Sequence, residues 1–480
     1  MILRMDPGAA ALLDALHTAG HAAYAVGGCV RDSLLGLAPH DWDLCTSALP
    51  RQVIELFGAQ QCIPTGLQHG TVTVKHGGAL YEITTFRTEG TYTDGRHPDE
   101  VHFVPDVRED LARRDFTINA MAYNEKEGLV DPFGGRADLQ SGILRAVGVP
   151  HQRFTEDALR ILRLYRFAAR FGFAIDPATA QAAQKLCAHL DCVSVERIEE
   201  ELAKLLAAPA PAAYLDEKIL GVVLPELSPE ALAAAKPVVD ACPAGSENLP
   251  VRLAALLLSL GEDGTRRTLK RLRCSNACIE ETAVLVREVV SGVPVAFSSD
   301  ASSSCGTQRM LCALNSTRIL LAAAPTATPC FRRRRQSLPL QAIPSPALLP
   351  AATGSHPSGR SSEKLPARPP VSLNICTRKL LGKYNLCTVQ RLAALGTAMQ
   401  PEHAADFAAL SELAAQLDAD GVCCRVGQLA VNGRDLMAAG IPAGPGIRKV
   451  LEALLDGVIR EEYPNEREAL LAAVQQLAAS

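Results

Sequence analysis

The sequence predicts an α+β protein in which a small mixed sheet with helices is followed by helical segments only. Strand-length apolar runs and glycine pairs fall within residues 1–145. After them, apolar residues recur at helical spacing, which favours an all-α remainder. With 480 residues and 48% hydrophobic side chains, the chain exceeds one ordinary core, so we expect several folding units.

Composition and charge indicate which partners and which cellular compartment to expect. The formal net charge of −4 argues against a chain wrapped in nucleic acid but allows a local basic groove. No signal peptide is recognisable at the start, and no apolar run approaches the ~18 residues of a membrane span, so we expect a cytoplasmic protein without membrane partners. The 15 cysteines form no Cys-x-x-Cys pair, which favours buried free thiols over zinc sites or a disulfide framework.

The first candidate site begins after a short strand. Ala9–Ala19 predicts a helix that covers the sheet, and Ala22–Val26 predicts a buried strand. Gly27 and Gly28 then interrupt the chain before a helical pattern, whose free N–H groups suit a phosphate. Arg31, on the first helical turn, adds a forked donor for a polyphosphate. A glycine pair alone is more often a plain turn.

A pair of carboxylates follows the proline at position 39. We expect Asp41 and Asp43 to lie within a strand, where they project to the same face while Trp42 projects to the other. Two adjacent carboxylates repel each other, and a divalent cation with oxygen ligands relieves that repulsion. Mg²⁺ is the common choice where phosphates complete the shell, so Asp41 and Asp43 are the predicted metal ligands.

A hairpin could supply a third carboxylate. Pro50–Phe57 predicts a helix, and Gly70–Lys75 with Leu80–Phe86 predicts a hairpin that turns at a glycine pair. Glu82 lies in its second strand. If this strand lies beside the two aspartates, Glu82 joins them as a catalytic residue. An exposed strand glutamate is an equally good explanation.

Two further segments combine arginine with aspartate. An apolar helical pattern follows Arg113, Arg114 and Asp115. Taken alone, these residues could simply be the charged N-terminus of a helix. The stretch 156–167 predicts a helix with Asp157 and Arg160 at i, i+3. This pair is commonly an ion pair. Its accepting carboxylate and donating guanidinium also match the amino group and ring acceptor of cytosine or adenine.

Strand, glycine pair, Arg-Asp helix and Asp-x-Asp, in this order, resemble the nucleotidyltransferases of the DNA polymerase β superfamily. The closest resemblance is to the class II tRNA nucleotidyltransferase and bacterial poly(A) polymerase family. It implies that Arg114 contacts the nucleotide, that Asp115 meets its ribose, and that Arg163 and Arg166 add nucleotide contacts. It also implies a catalytic head over 1–145, a neck with the nucleotide-selecting helix over 146–215, a first body part over 216–297, and an RNA-binding body and tail over 377–480.

The resemblance implies template-independent addition of C and A to the 3′ end of tRNA from CTP and ATP, with two Mg²⁺ ions at the aspartates and no protein nucleophile. Poly(A) polymerase is the alternative within the class, and the segment 65–74 favours tRNA as substrate. A non-catalytic RNA-binding protein derived from such an enzyme is the alternative from another class. The polar segment 87–101 corresponds to the family's flexible loop and is intact.

Charged residues later in the chain give weaker evidence of function. Those of the amphipathic helix predicted over 194–206 are interpreted as solvated faces. Further along, Gly444-Pro445-Gly446 precedes a long helix with Arg448 and Lys449 in its first turns. That helix start could take an RNA phosphate, or it could be a simple cap.

One stretch, 298–376, departs from the rest of the sequence. It has no aspartate or glutamate between Ala301 and Ser362, carries the basic run Arg332–Arg335, and is rich in proline. A disordered insertion, a basic RNA arm, or translation out of frame between two compensating shifts would each explain it. We favour the frame excursion, because central body helices of the family are replaced rather than interrupted. It predicts an unstructured chain across Ser303–Ser372 and exposed apolar surface on the body helices that lost their partners.

Overall fold

A computed structural model of the chain describes residues 3–89, 101–291 and 371–479. Most of the aberrant stretch and most of the loop at 87–101 lie outside the described residues. The described chain divides into a first unit, 3–89, 101–291 and 384–418, and a second unit, 371–383 and 419–479. A helix begins at Val371, so the expectation that the chain stays unstructured through Ser372 is wrong at its end.

The strands lie early in the chain. In chain order they are β1 (Ala23–Val26), β2 (Leu44–Thr46), β3 (Cys62–Gly66), β4 (Thr71–His76), β5 (Ala79–Thr85), β6 (Arg87–Glu89), β7 (Val101–Phe103), β8 (Ala122–Asn124), β9 (Gly128–Val130), β10 (Ile143–Leu144) and β11 (Ala174–Ile175).

Helices make up most of the rest. In the first unit they are α1 (Pro7–Thr18), α2 (Gly28–Leu34), α3 (Pro50–Phe57), α4 (Val107–Ala112), α5 (Gly135–Ser141), α6 (Pro150–Glu156), α7 (Leu159–Phe171), α8 (Pro177–Leu186), α9 (Val195–Leu206), α10 (Glu217–Val223), α11 (Pro229–Ala241), α12 (Leu249–Leu257), α13 (Gly261–Arg271) and α14 (Asn276–Val290). Then follow α15 (Val371–Lys383), α16 (Leu386–Met399), α17 (Ala404–Ala419), α18 (Gly433–Ala438), α19 (Pro445–Ile459) and α20 (Arg467–Ala479).

Seven strands of the first unit form one sheet in the order β3-β4-β5-β2-β1-β8-β9. β2 and β5 run parallel, whereas the other neighbouring pairs are antiparallel, so the predicted mixed sheet is confirmed. The predicted hairpin is β4–β5. Gly77 and Gly78 turn it with φ values of +58° and +84°, where residues without a Cβ are favoured.

Strand order brings three chain segments to one edge of this sheet. β1 ends where its antiparallel partner β2 begins, and the Val26 N–H donates to the Asp43 carbonyl at 3.0 Å. On the other side of β2, Leu44 lies opposite Ile83 of the parallel β5. The preceding residues, Asp43 and Glu82, are therefore neighbours in register at this edge.

Beyond the sheet, helices pack against one another in the first unit. α7 packs on α9, and α12 packs against α11, α14 and α16. Arg252 of α12 is fully buried, and its guanidinium donates to the carbonyls of Leu206 and Ala208 at the end of α9. These bonds satisfy carbonyls that a helix end leaves without partners.

Val290, at the end of α14, is 55% exposed.

The second unit has a core of its own. Leu436 of α18, Leu454 and Val458 of α19, and Leu470 and Val474 of α20 are buried in it. The loop before α18 adds apolar side chains to the same cluster. Arg378 of α15 extends the packing, because its guanidinium donates to the last carbonyls of α19.

Candidate active site

The Asp-x-Asp pair lies just before β2, in backbone that is neither helix nor strand. The prediction that both aspartates lie within a strand is therefore wrong, because regular pairing starts only at Leu44. Both residues are nevertheless held at the sheet edge, since the Asp43 carbonyl accepts the Val26 N–H. Asp41 and Asp43 are both exposed.

Glu82 stands beside these aspartates, as the hairpin pattern suggested. It is exposed on β5, one residue before the Ile83 that pairs with Leu44. Partial desolvation and the nearby carboxylates of Glu82 and Asp41 raise the pKa of Asp43, whereas Arg114 opposes that shift. Three carboxylates thus share one electrostatic environment, a feature that is common at functional sites.

Gly27 forms the turn that ends β1. Its φ is +76°, and its N–H donates to the Met121 carbonyl at 3.0 Å. A Cβ placed on Gly27 would lie 2.8 Å from Nη1 of Arg114. Gly28 then begins α2. The absence of a side chain on Gly27 therefore lets the Arg114 guanidinium approach the backbone at the start of this helix.

Arg114 is held by a buried acid that our sequence reasoning did not single out. Asp110, 1% exposed, pairs with Arg114 Nη2 at 3.3 Å and with Arg113 at 2.9 Å. Burial raises the pKa of Asp110, but these two arginines outweigh it and lower the pKa overall. Among the residues that the structure describes, none accepts a hydrogen bond from the buried Nε of Arg114. The signal in the sequence was the i, i+3 and i, i+4 spacing within α4 and just beyond it.

Arg31 differs from the free phosphate donor expected from the sequence. It is 4% exposed and contacts Asp32 at 2.7 Å, while Nη1 donates to Asn119 at 2.6 Å. Its guanidinium also lies 5.3 Å from the ring centre of Phe167 and 4.9 Å from that of Phe171. The Arg31 guanidinium thus already has protein partners, so its contact with phosphate stays a prediction.

Asp115 is buried and fully engaged. Its Oδ2 accepts Nη2 and Nε of Arg163 at 2.6 and 2.9 Å, and its Oδ1 accepts Asn119 Nδ2 at 3.0 Å. Burial raises the pKa of Asp115, but Arg163 and these hydrogen bonds outweigh it and lower the pKa to about 2. Asp115 is therefore a charged carboxylate that joins the sheet region to α7, and its contact with ribose stays a prediction.

The nucleotide-selecting pair is arranged differently from the predicted continuous helix. Asp157 lies between α6 and α7, with its Oδ1 accepting the Leu159 N–H at 3.0 Å. Its Oδ2 pairs with Arg197 of α9 at 2.8 Å, whereas Arg160 pairs with Glu156 at 2.7 Å. An ordinary ion pair between Asp157 and Arg160 is thus not what the structure shows. Each has a separate partner.

Arg163 and Arg166 converge on Glu201 of α9. The carboxylate lies 2.7 Å from Nε of Arg166 and 3.8 Å from Nη1 of Arg163. Glu201 is 5% exposed, so the interpretation of the α9 charges as solvated faces is wrong for this residue. Burial lowers the pKa of Arg166 to about 10. The helical spacing of Glu201 with apolar neighbours would have indicated a buried position.

An aromatic ring connects these arginines. Phe167 has the guanidinium of Arg166 at 4.0 Å from its ring centre and that of Arg163 at 5.4 Å. With Arg31 at 5.3 Å, three of the predicted nucleotide-binding arginines surround one ring. Cation–π contact allows like charges to gather where water is scarce. Sequence reasoning assigned Phe167 no part in this arrangement.

In the second unit, α19 begins at Pro445 as expected. Arg448 pairs with Glu452 of the same helix at 2.8 Å, and its side chain is 85% exposed. Gly444 has a φ of +151°, which explains why glycine stands before this helix. The arrangement accounts for a helix start, and the RNA-phosphate contact stays a prediction.

The described residues contain neither a metal cage made of protein side chains alone nor a membrane-spanning helix. In 3–89, 101–291 and 371–479, no three His, Cys, Asp or Glu side chains are grouped so that they alone could hold a metal ion. A cation at Asp41 and Asp43 would therefore need further oxygen ligands from substrate or water. None of the helices described is long and apolar enough to cross a membrane.

Known families match three regions of the chain. The family model described as "Poly A polymerase head domain" matches residues 23–145. The model described as "Probable RNA and SrmB- binding site of polymerase A" matches 172–230, and a tRNA nucleotidyltransferase domain 2 model matches 379–474. The mixed sheet, its acidic edge and these matches define a nucleotidyltransferase.

Relatives refine this class. The chain is 40% identical over 341 residues to the CCA-adding enzyme of Lactobacillus delbrueckii. This match covers 69% of this chain and 83% of that enzyme. The chain therefore belongs to the family of CCA-adding enzymes. It is also 49% identical over 204 residues to the CCA-adding enzyme of Lactiplantibacillus plantarum, but there the match covers only 42% of this chain and 50% of the relative.

Solved structures agree on the fold. The CCA-adding enzyme of Bacillus stearothermophilus in complex with CTP is 27% identical, with a TM-score of 0.70 over 99% of this chain and 98% of that one. A Thermotoga maritima CCA-adding enzyme complexed with tRNA is 20% identical, with a TM-score of 0.62 over 99% and 97% of the two chains. The second similarity shows the fold alone.

Proposed function

We propose that this protein adds cytidine and adenosine to the 3′ end of tRNA from CTP and ATP, without a nucleic-acid template. Membership of the CCA-adding enzyme family supports this reaction. The observation that carries it is the edge of the sheet, where Asp43 lies in the field of Asp41, Glu82 and Arg114, and Arg114 lies against Gly27. A carboxylate cluster beside a cationic turn is what transfer of a nucleotide from a triphosphate requires.

The donor set at this edge fits Mg²⁺. Carboxylate oxygens are its preferred protein ligands, and it usually binds through one or two of them together with substrate phosphates. Asp41 and Asp43 would hold it, and Glu82 adds negative charge next to Asp43. When bound, the metal would lower the pKa of the RNA 3′-hydroxyl and neutralise charge on the departing pyrophosphate.

The triphosphate is assigned to the turn between β1 and α2. The first turn of α2, which begins at Gly28, offers free backbone N–H groups. Arg114 is assigned as a charged donor at this turn, because its Nη1 lies against Gly27. Arg31 is assigned to the same triphosphate, with its guanidinium fixed by Asp32 and Asn119.

Choice of the base is assigned to Asp157 and Arg160. Both keep hydrogen-bonding capacity after their protein contacts, since a carboxylate has about four acceptor sites and a guanidinium has five donors. Arg197 fixes Asp157, and Glu156 fixes Arg160. Together they offer an acceptor and a donor, which match cytosine and adenine but oppose guanine and uracil.

Arg163 and Arg166 are assigned to the same nucleotide, with Asp115 and Glu201 as their buried counter-ions. Because these ion pairs fix both guanidinium groups before substrate arrives, little side-chain ordering remains to be done on binding. We place the rest of the tRNA on the helical regions, and we place the protein in the cytoplasm, where its substrates are made.

The test offers the protein tRNA that lacks its 3′-terminal CCA, with each nucleotide supplied alone and in combination. We expect CTP alone to add two residues, and CTP with ATP to complete CCA and stop. The variant with both Asp41→Asn and Asp43→Asn is the control for catalysis by this site. A long adenosine tail from ATP alone would identify a poly(A) polymerase instead. Tight tRNA binding without any extension would favour the non-catalytic alternative.

A further inference from the structure

Arg153 of α6 contacts the end of α4, which lies 41 residues earlier in the chain. Its Nη1 donates to the Ala112 carbonyl at 3.2 Å. Its Nη2 pairs with the carboxylate of Glu156, three residues later in α6, at 2.5 Å, and its side chain is 13% exposed. Arg153 thus connects the helix that precedes Arg114 to the segment that precedes Asp157.

Arg160 of α7 joins the same set of contacts. Its Nη1 donates to the Arg153 carbonyl at 3.2 Å and to the second Glu156 oxygen at 2.7 Å. Its Nη2 donates to the Arg113 carbonyl at 3.2 Å. The Glu156 carboxylate therefore uses one oxygen for Arg153 and the other for Arg160. All of these Arg160 bonds come from its two Nη atoms and do not require Nε, so the Nε edge of the guanidinium can meet a base.

The end of α4 is held from two sides. A helix end leaves carbonyls without partners, and here arginines of α6 and α7 donate to the carbonyls of Ala112 and Arg113. Within the same stretch, Asp110 holds the side chains of Arg113 and Arg114. Arg114, assigned to the triphosphate, and Arg160, assigned to the base, are consequently fixed to one short piece of backbone.

The contacts of Arg153 limit how Arg160 can pair. A guanidinium and a carboxylate favour a bidentate arrangement that uses both carboxylate oxygens. Because Arg153 occupies one oxygen of Glu156, Arg160 binds the other. Without Arg153, Arg160 could take both oxygens. It would then rotate away from the Arg113 carbonyl and change the direction of its remaining donors.

We propose that Arg153 is a positioning residue for nucleotide selection, which acts through Arg160 rather than by contact with the nucleotide. It occupies the Ala112 carbonyl and one Glu156 oxygen, and so keeps the donors of Arg160 aligned with the edge of cytosine or adenine. The inference rests on the proposed function, because it requires that Arg160 reads the base.

The test measures kcat/KM for CTP and for UTP separately, on tRNA that lacks its 3′-terminal CCA. In Arg153→Ala, we expect the UTP-to-CTP ratio of kcat/KM to rise by roughly two- to tenfold, the factor that corresponds to one hydrogen bond. A loss of stability alone would lower both values together and leave the ratio unchanged. Arg108→Ala is the matched control, because Arg108 is an exposed arginine of α4, and its ratio should equal that of the parent.

A double variant tests whether Arg153 acts through Arg160. If it does, Arg153→Ala should leave the ratio unchanged in a protein that already carries Arg160→Ala. A further rise of the ratio in the double variant would overturn the proposal, as would a ratio in Arg153→Ala equal to the parent's.

Thermal unfolding is measured for each variant. If Arg153→Ala does not fold, Arg153→Lys replaces it, because an ammonium is a point donor that does not reproduce the two-way reach of the guanidinium. We expect a smaller rise of the ratio in that variant, and an unchanged ratio would overturn the proposal. A parent that incorporates UTP as well as CTP would overturn the proposed function together with this inference. A selective parent with an equally selective Arg153→Ala would overturn the inference alone.

Discussion

Arg163 donates Nη2 and Nε to a single oxygen of Asp115, at 2.6 and 2.9 Å. Both residues carried predicted nucleotide contacts, and in the structure they contact each other. Because Asp115 lies in the sheet region and Arg163 lies on α7, this ion pair connects the two parts of the first unit that build the candidate site.

Replacement of Arg163 by glutamine should destabilise the protein at neutral pH. The folded-state pKa of Asp115 is about 2, below its ordinary value of 3.8. Its ionised carboxylate therefore stabilises the folded state at pH values above 3.8. That stabilisation, on the order of 2 kcal/mol, is lost as the pH falls from about 4 through about 2. In Arg163→Gln, burial should raise the pKa of Asp115. Urea unfolding from pH 2 to 8 measures the difference.

An exposed ion pair provides the control for this pH dependence. Arg448→Ala removes the partner of Glu452 at the surface of α19 and should leave the unfolding profile unchanged. An Arg163→Gln profile that runs parallel to the parent's at every pH would contradict the assignment of the low pKa to this ion pair.

Gly27→Ala should weaken nucleotide binding. A Cβ would lie 2.8 Å from Arg114 Nη1, and the combination of φ +76° with ψ −120° is one that glycine adopts readily and alanine does not. Displacement of Arg114 should raise KM for CTP and ATP by more than this strain explains. Gly36→Ala is the matched control, because its φ is +74° and nothing lies within 4 Å of a built Cβ. Equal KM values in the two variants would exclude the role assigned to the Arg114 contact.

Asp41→Ala or Asp43→Ala should abolish extension while tRNA binding stays nearly unchanged. Each carboxylate is expected to contribute several kcal/mol to the transition state through the metal, and ~1.4 kcal/mol is a tenfold change in rate. Single-turnover extension and filter binding measure the two quantities separately. Glu55→Ala, at an exposed carboxylate on α3, should behave like the parent. Extension by the double variant within about tenfold of the parent rate would refute the metal assignment.

Asp157→Ala or Arg160→Ala should affect discrimination more than turnover. Loss of one such contact costs about 1–3 kcal/mol of base discrimination, so incorporation of UTP and GTP should rise relative to CTP and ATP. Arg197→Ala should have a smaller effect in the same direction, because it only releases Asp157. Lys185→Ala, on the surface of α8, serves as the control. If nucleotide preference is the same in all four variants, these residues serve structure alone.

The stretch 298–376 gives a prediction about the gene. We expect compensating frame shifts on either side of it, because its composition differs from the flanking helical sequence. Resequencing checks this directly. Nucleotides that confirm the present frame throughout would eliminate the excursion. Protection from proteolysis only in the presence of tRNA would then favour a basic RNA arm.

The sequence by itself determined the elements and the carboxylates. Apolar spacing located β1, α3, the β4–β5 hairpin and several of the helices, because burial of one face imposes the period of the element. Asp41, Asp43 and Glu82 were found as candidates by residue type and spacing. Their convergence was only one of two alternatives, since strand order is not encoded locally.

Only the tertiary structure decided how the charges are used. The parallel pairing of β2 with β5 places Glu82 beside Asp43, and packing of α7 on α9 buries Glu201 against Arg163 and Arg166. The same packing gives Asp157 a partner in Arg197, 40 residues along the chain. An unpaired buried charge is costly, which favours an arrangement in which Arg163, Arg166 and Arg197 each pair with a carboxylate. Spacing along the chain cannot reveal such partners, because they come together only when the helices pack.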